Sequence, residues 1–237
     1  TEFNQQIWDA VNKGEFVEVN DEVRKLHESL LFSYQLVNYV HKSTSNSTKL
    51  RVISNSSISR VGGSLNENIC CGVNSMNLAL DVLNRWSCYG YCLLTDLSSA
   101  YRSVRTKPRT NSVRRFYWFR VPEDVSTMTE FMVCRCNFGD RCAGRVLDLC
   151  NLRISDDTQI SEPTREFLKD ATYVDDGATS SQDMATVDII ANELGPLYHK
   201  YSFKLKHCLK NYAGCEGKIT DATHAVSYTH LRAHETC

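Results

Sequence analysis

The sequence predicts an α+β fold in which an antiparallel sheet is covered on one face by helices. Three observations predict it. Apolar runs of strand length, such as Tyr91-Cys-Leu-Leu-Thr-Asp96, recur between longer stretches with helical spacing. Polar turns separate strand-like pairs, as hairpins require. No internal repeat and no Pro/Gly-rich linker divides the 237 residues.

The elements follow in order. Up to about residue 36 the periodicity is helical, with Phe3, Ile7, Trp8 and Val11 on one face and Val23, Leu26, Leu30 and Leu31 on another. Residues 36–41 and 49–54 read as strands of a hairpin around the polar run 43–48. Gly62-Gly63 breaks the chain, and Ser64 with Glu67 three residues on forms a capping box for a short helix. Asn74 or Ser75 is positioned to cap a longer helix carrying Leu78, Leu80, Val82, Leu83 and Trp86. The strand ending at Asp96 and a short helix through Ala100 and Tyr101 come next. Residues 116–119 and 129–134 read as paired strands around Pro122-Glu-Asp124. A helical run with Val146, Leu147, Leu149 and Leu152 follows Gly139. Residues 167–181 read as strand, tight turn and strand. Asp183 starts a helix through Val187, Ile190 and Leu194, and two short strands near 203–205 and 208–209 close the pattern.

Composition excludes some classes. With 42% hydrophobic and 23% charged residues the chain resembles ordinary globular proteins. A net charge of −1 gives no global attraction for nucleic acid, so any such site must be a local patch. No apolar run approaches the ~20 residues that span a bilayer, so no membrane partner is expected. The eleven cysteines lack a small-scaffold spacing and no signal peptide opens the chain, which reads as reduced, mostly buried thiols of an intracellular, cytoplasmic protein. Cys134 and Cys136, a Cys-x-Cys pair in a strand-like run, are not expected to share a metal. His207-Cys208 with Cys215, and His230 with His234, are incomplete as zinc sets.

The chemistry concentrates at Tyr173-Val174-Asp175-Asp176. Adjacent carboxylates at a hairpin tip repel each other and call for a divalent cation. If the strand ending at Asp96 lies beside this hairpin, Asp96, Asp175 and Asp176 form one cluster. All its donors are hard oxygens, which favours magnesium, with manganese as the alternative, over zinc. Two such ions about 3.5–4 Å apart suit in-line phosphoryl displacement. An Asp-Asp pair taken alone is more often a solvated turn.

These residues carry a resemblance. Tyr173-Val-Asp-Asp176 resembles the Tyr-x-Asp-Asp box of reverse transcriptases. Leu93-Leu-Thr-Asp-Leu-Ser-Ser-Ala-Tyr101 resembles their first catalytic motif. Lys49-Leu-Arg-Val-Ile-Ser-Asn-Ser-Ser57, Ser64-Leu-Asn-Glu-Asn-Ile-Cys-Cys-Gly72, Asn137-Phe-Gly139 and Ser202-Phe-Lys-Leu-Lys206 resemble further family segments in family order. The chain is most similar to the reverse transcriptase domain of Pao/BEL-type long-terminal-repeat retrotransposons, over roughly residues 36–211.

The resemblance implies a polymerase palm with partial fingers. It divides the chain into an N-terminal helical segment (1–35), partial fingers and the start of the palm (36–90), the palm with its carboxylates (91–215) and a tail (216–237). It implies an RNA-directed DNA polymerase that adds dNTPs to a primer 3′-hydroxyl on an RNA or DNA template, using two magnesium ions. Asp96 and Asp175 would be the principal metal ligands, Asp176 would support them, and the Leu97 carbonyl would join them. Arg51 and Lys49 would hold the triphosphate, for which a forked guanidinium is well matched. Tyr101 would exclude a ribose 2′-hydroxyl, Gly139 would admit close backbone approach, and Lys206 would protonate the departing pyrophosphate.

Other readings stand beside these. Arg51 is equally an edge residue of a strand, Tyr101 is core packing on spacing alone, and Lys206 shares a solvated face with Lys200, Lys204 and Lys210. Departures from the family point to a catalytically dead relic with residual nucleic-acid binding as the alternative function. Asp140-Arg-Cys-Ala-Gly144 replaces the usual Ser-Pro, Ser202 replaces Gly, and Asn55 replaces Asp. A nucleotide cyclase is unsupported, since no Gly-Gly-Asp/Glu-Glu/Asp-Phe hairpin is present. The chain is expected to be a polyprotein fragment whose thumb, ribonuclease H and integrase lie elsewhere, with a virus-like particle as a further setting. Residues 226–236 resemble translated adaptor sequence and are set aside from the fold.

Overall fold

The computed structural model describes residues 2–41, 50–59, 62–74, 76–122 and 124–212. The hairpin turn at 43–48, Lys49, Ser75, Cys215, the His230/His234 pair and the tail at 216–237 lie outside the described residues. Two compact units are present, each built from two chain segments: 1–72 with 101–143, and 73–100 with 144–237.

In the first unit, helix α1 (Glu2–Asn12) buries Ile7 and Ala10. It ends in a Schellman motif: the Glu15 amide donates to the Ala10 carbonyl (2.9 Å) and the Gly14 amide to Val11 (2.9 Å), with Gly14 at φ +65. That reversal feeds strand β1 (Phe16–Glu18), which interrupts the stretch expected to be helical. Helix α2 (Asp21–Leu26), capped by Asn20, buries no residue, and Leu26 (74%) and Leu31 (85%) are exposed. The apolar spacing there is therefore not a core face. Strands β2 (Leu36–His41) and β3 (Leu50–Asn55) form the expected hairpin, and helix α3 (Leu65–Asn68) carries the Ser64–Glu67 capping box. Farther along the chain come helix α4 (Ala79–Ser87) and strand β4 (Tyr91–Ser98), which belong to the second unit. Helix α5 (Ala100–Ser103) leads back to the first unit, followed by α6 (Pro108–Asn111), β5 (Arg115–Phe119) and β6 (Met128–Val133). β1, β6 and β5 make one antiparallel sheet. Ile7, Phe16, Val52, Phe116, Phe131 and Val133 form its core.

The second unit continues with helix α7 (Ala143–Ser155), helix α8 (Glu162–Asp170), strands β7 (Thr172–Tyr173) and β8 (Asp176–Ser181), helix α9 (Met184–Lys200) and strand β9 (Lys204–Lys210). Its sheet runs β7-β8-β4-β9, and every described pairing is antiparallel. Three local expectations are corrected. Residues 167–170 are helical, because Ser161 caps a helix with Pro163 in its first turn and Thr164, Phe167 and Leu168 on its buried stripe. The helix expected to be capped by Asn74 begins only at Ala79, behind an uncapped Leu78, and Asn74 instead accepts from the Met76 amide. The two short terminal strands are one bulged strand, β9. Asp183 caps α9 as expected.

The cysteines also differ from expectation. Cys70, Cys71, Cys88, Cys92, Cys134, Cys136, Cys142 and Cys150 are free thiols, but of these only Cys136 is fully buried, while Cys70 and Cys88 are exposed. Burial raises the pKa of Cys134 and pushes that of Cys136 up to about 12, so this pair stays protonated rather than forming a thiolate site.

Candidate active site

β4 alternates cleanly. Leu93, Thr95 and Leu97 are buried, while Leu94, Asp96 and Ser98 on the opposite face are half-exposed. β8 runs antiparallel beside it, with Asp96 directly opposite Asp176 and Thr95 opposite Gly177. Directly opposed residues share a face, so Asp96 and Asp176 project together from the side away from Thr95. The Thr95–Gly177 face is pressed by α8: a Cβ on Gly177 would lie 2.5 Å from Phe167 Cζ and 2.5 Å from Thr95 Oγ1. Helix α4 covers the other end of the carboxylate face, where Ser180 Oγ donates to the Arg85 carbonyl (2.5 Å). The carboxylates thus occupy the half-exposed end of a rigid sheet.

Asp175 sits in the two-residue turn between β7 and β8, since Tyr173 pairs with Asp176. Its carbonyl accepts from the Leu97 amide (3.0 Å), which ties the turn to β4. Val174 beside it has φ +58, a left-handed conformation that is costly for a β-branched residue.

On the other side of β4, Asp96 pairs with His207 and Leu97 with Leu205. One β4 step therefore spans two β9 steps, and Lys206 is the extra residue of a β-bulge. The bulge re-aims its side chain, and Lys206 Nζ donates to Asp96 Oδ2 at 2.7 Å. The pair is partly open, with side-chain exposures of 23% for Asp96 and 36% for Lys206. A cation is thus already drawn to this edge, where like charges meet across the ladder.

The donor set suits a hard divalent ion, being carboxylate oxygens at a solvent-open sheet end with the Lys206 ammonium on Asp96. The structure brings Asp96 and Asp176 side by side and places Asp175 next in the turn. Among the described residues it gathers no three His, Cys, Asp or Glu side chains into a ready-made shell.

Of the remaining described candidates, Arg51, Tyr101 and Gly139 belong to the first unit and Leu97 is buried on β4. Arg51 lies on the face of β3 opposite Leu50, Val52 and Ser54, across from Val40. Among the described residues no carboxylate forms an ion pair with it. Tyr101 is 4% exposed and packs edge-on against Phe138, with ring centroids 4.7 Å apart. Gly139 does permit a close approach, but to its own chain: with φ +97, a Cβ there would lie 2.3 Å from the Ser54 carbonyl oxygen. Its carbonyl accepts from Asn66 Nδ2 (2.8 Å).

Sequence reasoning missed three features. Gly177 follows the Asp-Asp pair directly, and a glycine inside a strand is itself the signal of close approach. The bulge at Lys206 left only a gap between two strand-like pairs. Ser202, legible in the sequence only as a replacement for Gly, has φ +65, a left-handed conformation that glycine adopts more readily.

No family model matches the sequence, and no curated protein matches it. Solved structures do share the fold. A foamy viral protease-reverse transcriptase in complex with double-stranded DNA superposes with a TM-score of 0.60 at 14% identity, covering 86% of this chain and 30% of that one. The foamy viral enzyme in complex with an RNA/DNA hybrid gives 0.60 and 14% over 86% of this chain and 23% of that one. The prototype foamy virus protein, as a selenomethionine-labelled mutant, gives 0.60 and 13% over 84% and 22%. The chain therefore has an α+β fold of the reverse-transcriptase polymerase type. It spans less than a third of the length of these neighbours.

Proposed function

We propose that this chain is the polymerase part of an RNA-directed DNA polymerase of the Pao/BEL retrotransposon type, transferring dNTPs to a primer 3′-hydroxyl. The observation that carries the reading is the register placing Asp96 opposite Asp176, with Asp175 tied to β4 through Leu97 and Lys206 bulged onto the same edge. Nucleic-acid binding by the structural neighbours supports it.

Asp96, Asp175 and Asp176, with the Leu97 carbonyl, would hold magnesium, whose chemistry here is to lower the hydroxyl's pKa and neutralise phosphate charge. The β4–β8 register holds Asp96 opposite Asp176, which would reduce the reorganisation left for the reaction. Lys206 reaches the same edge and carries a proton suited to the departing pyrophosphate oxygen. Arg51 is assigned to the triphosphate and Tyr101 to exclusion of ribonucleotides. Lys49, outside the described residues, is assigned beside Arg51.

The test is primer extension on an RNA template by the chain fused to a thumb, with magnesium. Extension that requires Asp96 and Asp175 is the expected result. Extension that survives Asp175→Asn overturns the assignment. Folded protein that binds primer–template but neither extends it nor binds dNTP identifies the catalytically dead relic, which the replacement at residues 140–144 favours.

A further inference from the structure

Arg102 has no role in the reading above, yet its surroundings are unusual for a charged side chain. Its side chain is 11% exposed and lies against Phe16 of the first unit's core. It pairs with Glu15 (Nη1–Oε2 3.2 Å), donates to the Val52 carbonyl (Nη2–O 3.4 Å) and lies over the Phe16 ring, 4.8 Å from its centroid. Burial lowers its pKa, and the Glu15 carboxylate opposes that shift.

A buried ion pair is weak evidence of stabilisation, because a well-packed apolar pair often serves as well. What a guanidinium offers and an apolar group does not is a fixed fork joining two separate elements. Here one arm grips Glu15 at the entry to β1, and the other grips β3 at Val52, next to Arg51. The residue before it is Tyr101. Tyr101 packs on Phe138, and Gly139 behind Phe138 presses on the β3 carbonyl of Ser54. A continuous set of contacts, Arg51-Val52 to Arg102-Tyr101 to Phe138-Gly139, therefore links the first-unit residues assigned to the nucleotide.

We infer that Arg102, locked by Glu15, is a positioning residue that sets the spacing between the triphosphate-binding Arg51 and the sugar-excluding Tyr101. It thereby tunes both dNTP affinity and the choice of deoxyribose over ribose. The inference rests on the proposed function and deepens it. Arg102 touches no substrate in this account and acts through the backbone of β3 and the helical turn of α5.

Equilibrium titrations of the intact chain with dATP and with ATP, both with magnesium, test it. Arg102→Lys keeps the charge opposite Glu15 but loses the fork. It is expected to weaken dATP binding roughly tenfold, the loss of about 1.4 kcal/mol of binding. The preference for dATP over ATP is expected to fall about threefold with it, since a lysine cannot make both contacts at once. Glu15→Gln releases the lock without opening a cavity and is expected to act in the same direction. Circular dichroism and the thermal midpoint establish that both variants fold.

A merely structural role would lower the midpoint and leave the dATP/ATP ratio unchanged, and that result overturns the inference. An unchanged dATP affinity in folded Arg102→Lys overturns it as well. The underlying reading is judged separately. If the unaltered chain binds no dATP, or if Arg51→Ala has no effect, the proposed function itself fails. If those controls behave as expected and both Arg102→Lys and Glu15→Gln are silent, the inference alone fails.

Discussion

Asp96 and Asp140 belong to different units and show two uses of one side chain. Asp140 is fully enclosed. Its oxygens accept from Arg114 Nε (2.5 Å) and from Ser56 Oγ (2.6 Å), and its side chain is 0% exposed. Ser56 Oγ in turn accepts from Gln35 Nε2 (2.9 Å), and Gln35 Oε1 accepts from Asn137 Nδ2 (3.2 Å). That network consumes the carboxylate's capacity internally and ties the segment on either side of Gly139 to the residues after β3 and before β5. Asp96 stands on a half-exposed strand end opposite a second carboxylate, held by one ammonium. Its capacity is only partly consumed. A buried charge that is fully paired builds structure, while a surface cluster of like charges on rigid strands is prepared for a cation from outside.

The comparison breaks first at the open edge. Asp96→Asn and Asp175→Asn keep shape and remove charge, so folding should be intact while primer extension falls by about 10²–10³-fold or more, as for other preorganised electrostatic groups. Thermal unfolding and extension rates measured on the same preparations check this. If either variant loses the fold instead, Asp96 and Asp140 are alike and the contrast is wrong.

Asp140→Ala should do the reverse. It leaves the Arg114 guanidinium buried without its carboxylate, at a cost of about 3–5 kcal/mol. Chemical denaturation should show the loss. A variant with near-native stability would mean that water readily replaces the carboxylate in that network.

The sequence makes the open edge far more legible than the closed network, for a physical reason. The alternation of Leu93, Thr95 and Leu97 with Asp96 is local and sets the face of the carboxylate within six residues. The β2–β3 hairpin and the Ser64–Glu67 box are equally local. Asp140's partners are Arg114 and Ser56, 26 and 84 residues away, and no periodicity reports such distances. The same limit hid the β9 bulge, because Lys206 is the extra residue only relative to a strand over a hundred positions earlier. Helix α8 was legible and misread. Phe167-Leu168 suits either element, but Ser161 followed by Glu162-Pro163 is a helix start.

Gly177→Ala sharpens the contrast at intermediate scale. The added methyl would meet Phe167 and Thr95 at 2.5 Å on the buried face, directly behind Asp176. Overpacking of this kind typically costs about 1–3 kcal/mol. The sheet must shift to admit it, so extension should fall together with stability. A loss of stability with full activity would show that the carboxylate face tolerates movement of its support.

Asp157 offers the finest distinction, because it lies between the two extremes. Lys200 Nζ donates to its Oδ2 (2.5 Å), Tyr201 adds its hydroxyl (3.0 Å) and the Gln159 amide donates to Oδ1 (3.0 Å). The Lys200 hydrogen bond leads in holding its pKa down to about 2, from an ordinary 3.8. A carboxylate depressed in the folded state lends stability that is complete above its unfolded pKa and is lost as pH falls through the folded one. Asp157→Asn should therefore lower the thermal midpoint at neutral pH, and the gap from the unaltered chain should close as pH falls from about 4 to about 2. Asp96→Asn at neutral pH should show a smaller gap, since its carboxylate is more open to water, at 23% exposure against 4% for Asp157. If the Asp96 gap is the larger, the open edge contributes to stability as the Asp157–Lys200 pair does, and its carboxylates are less available to an outside cation than their exposure implies.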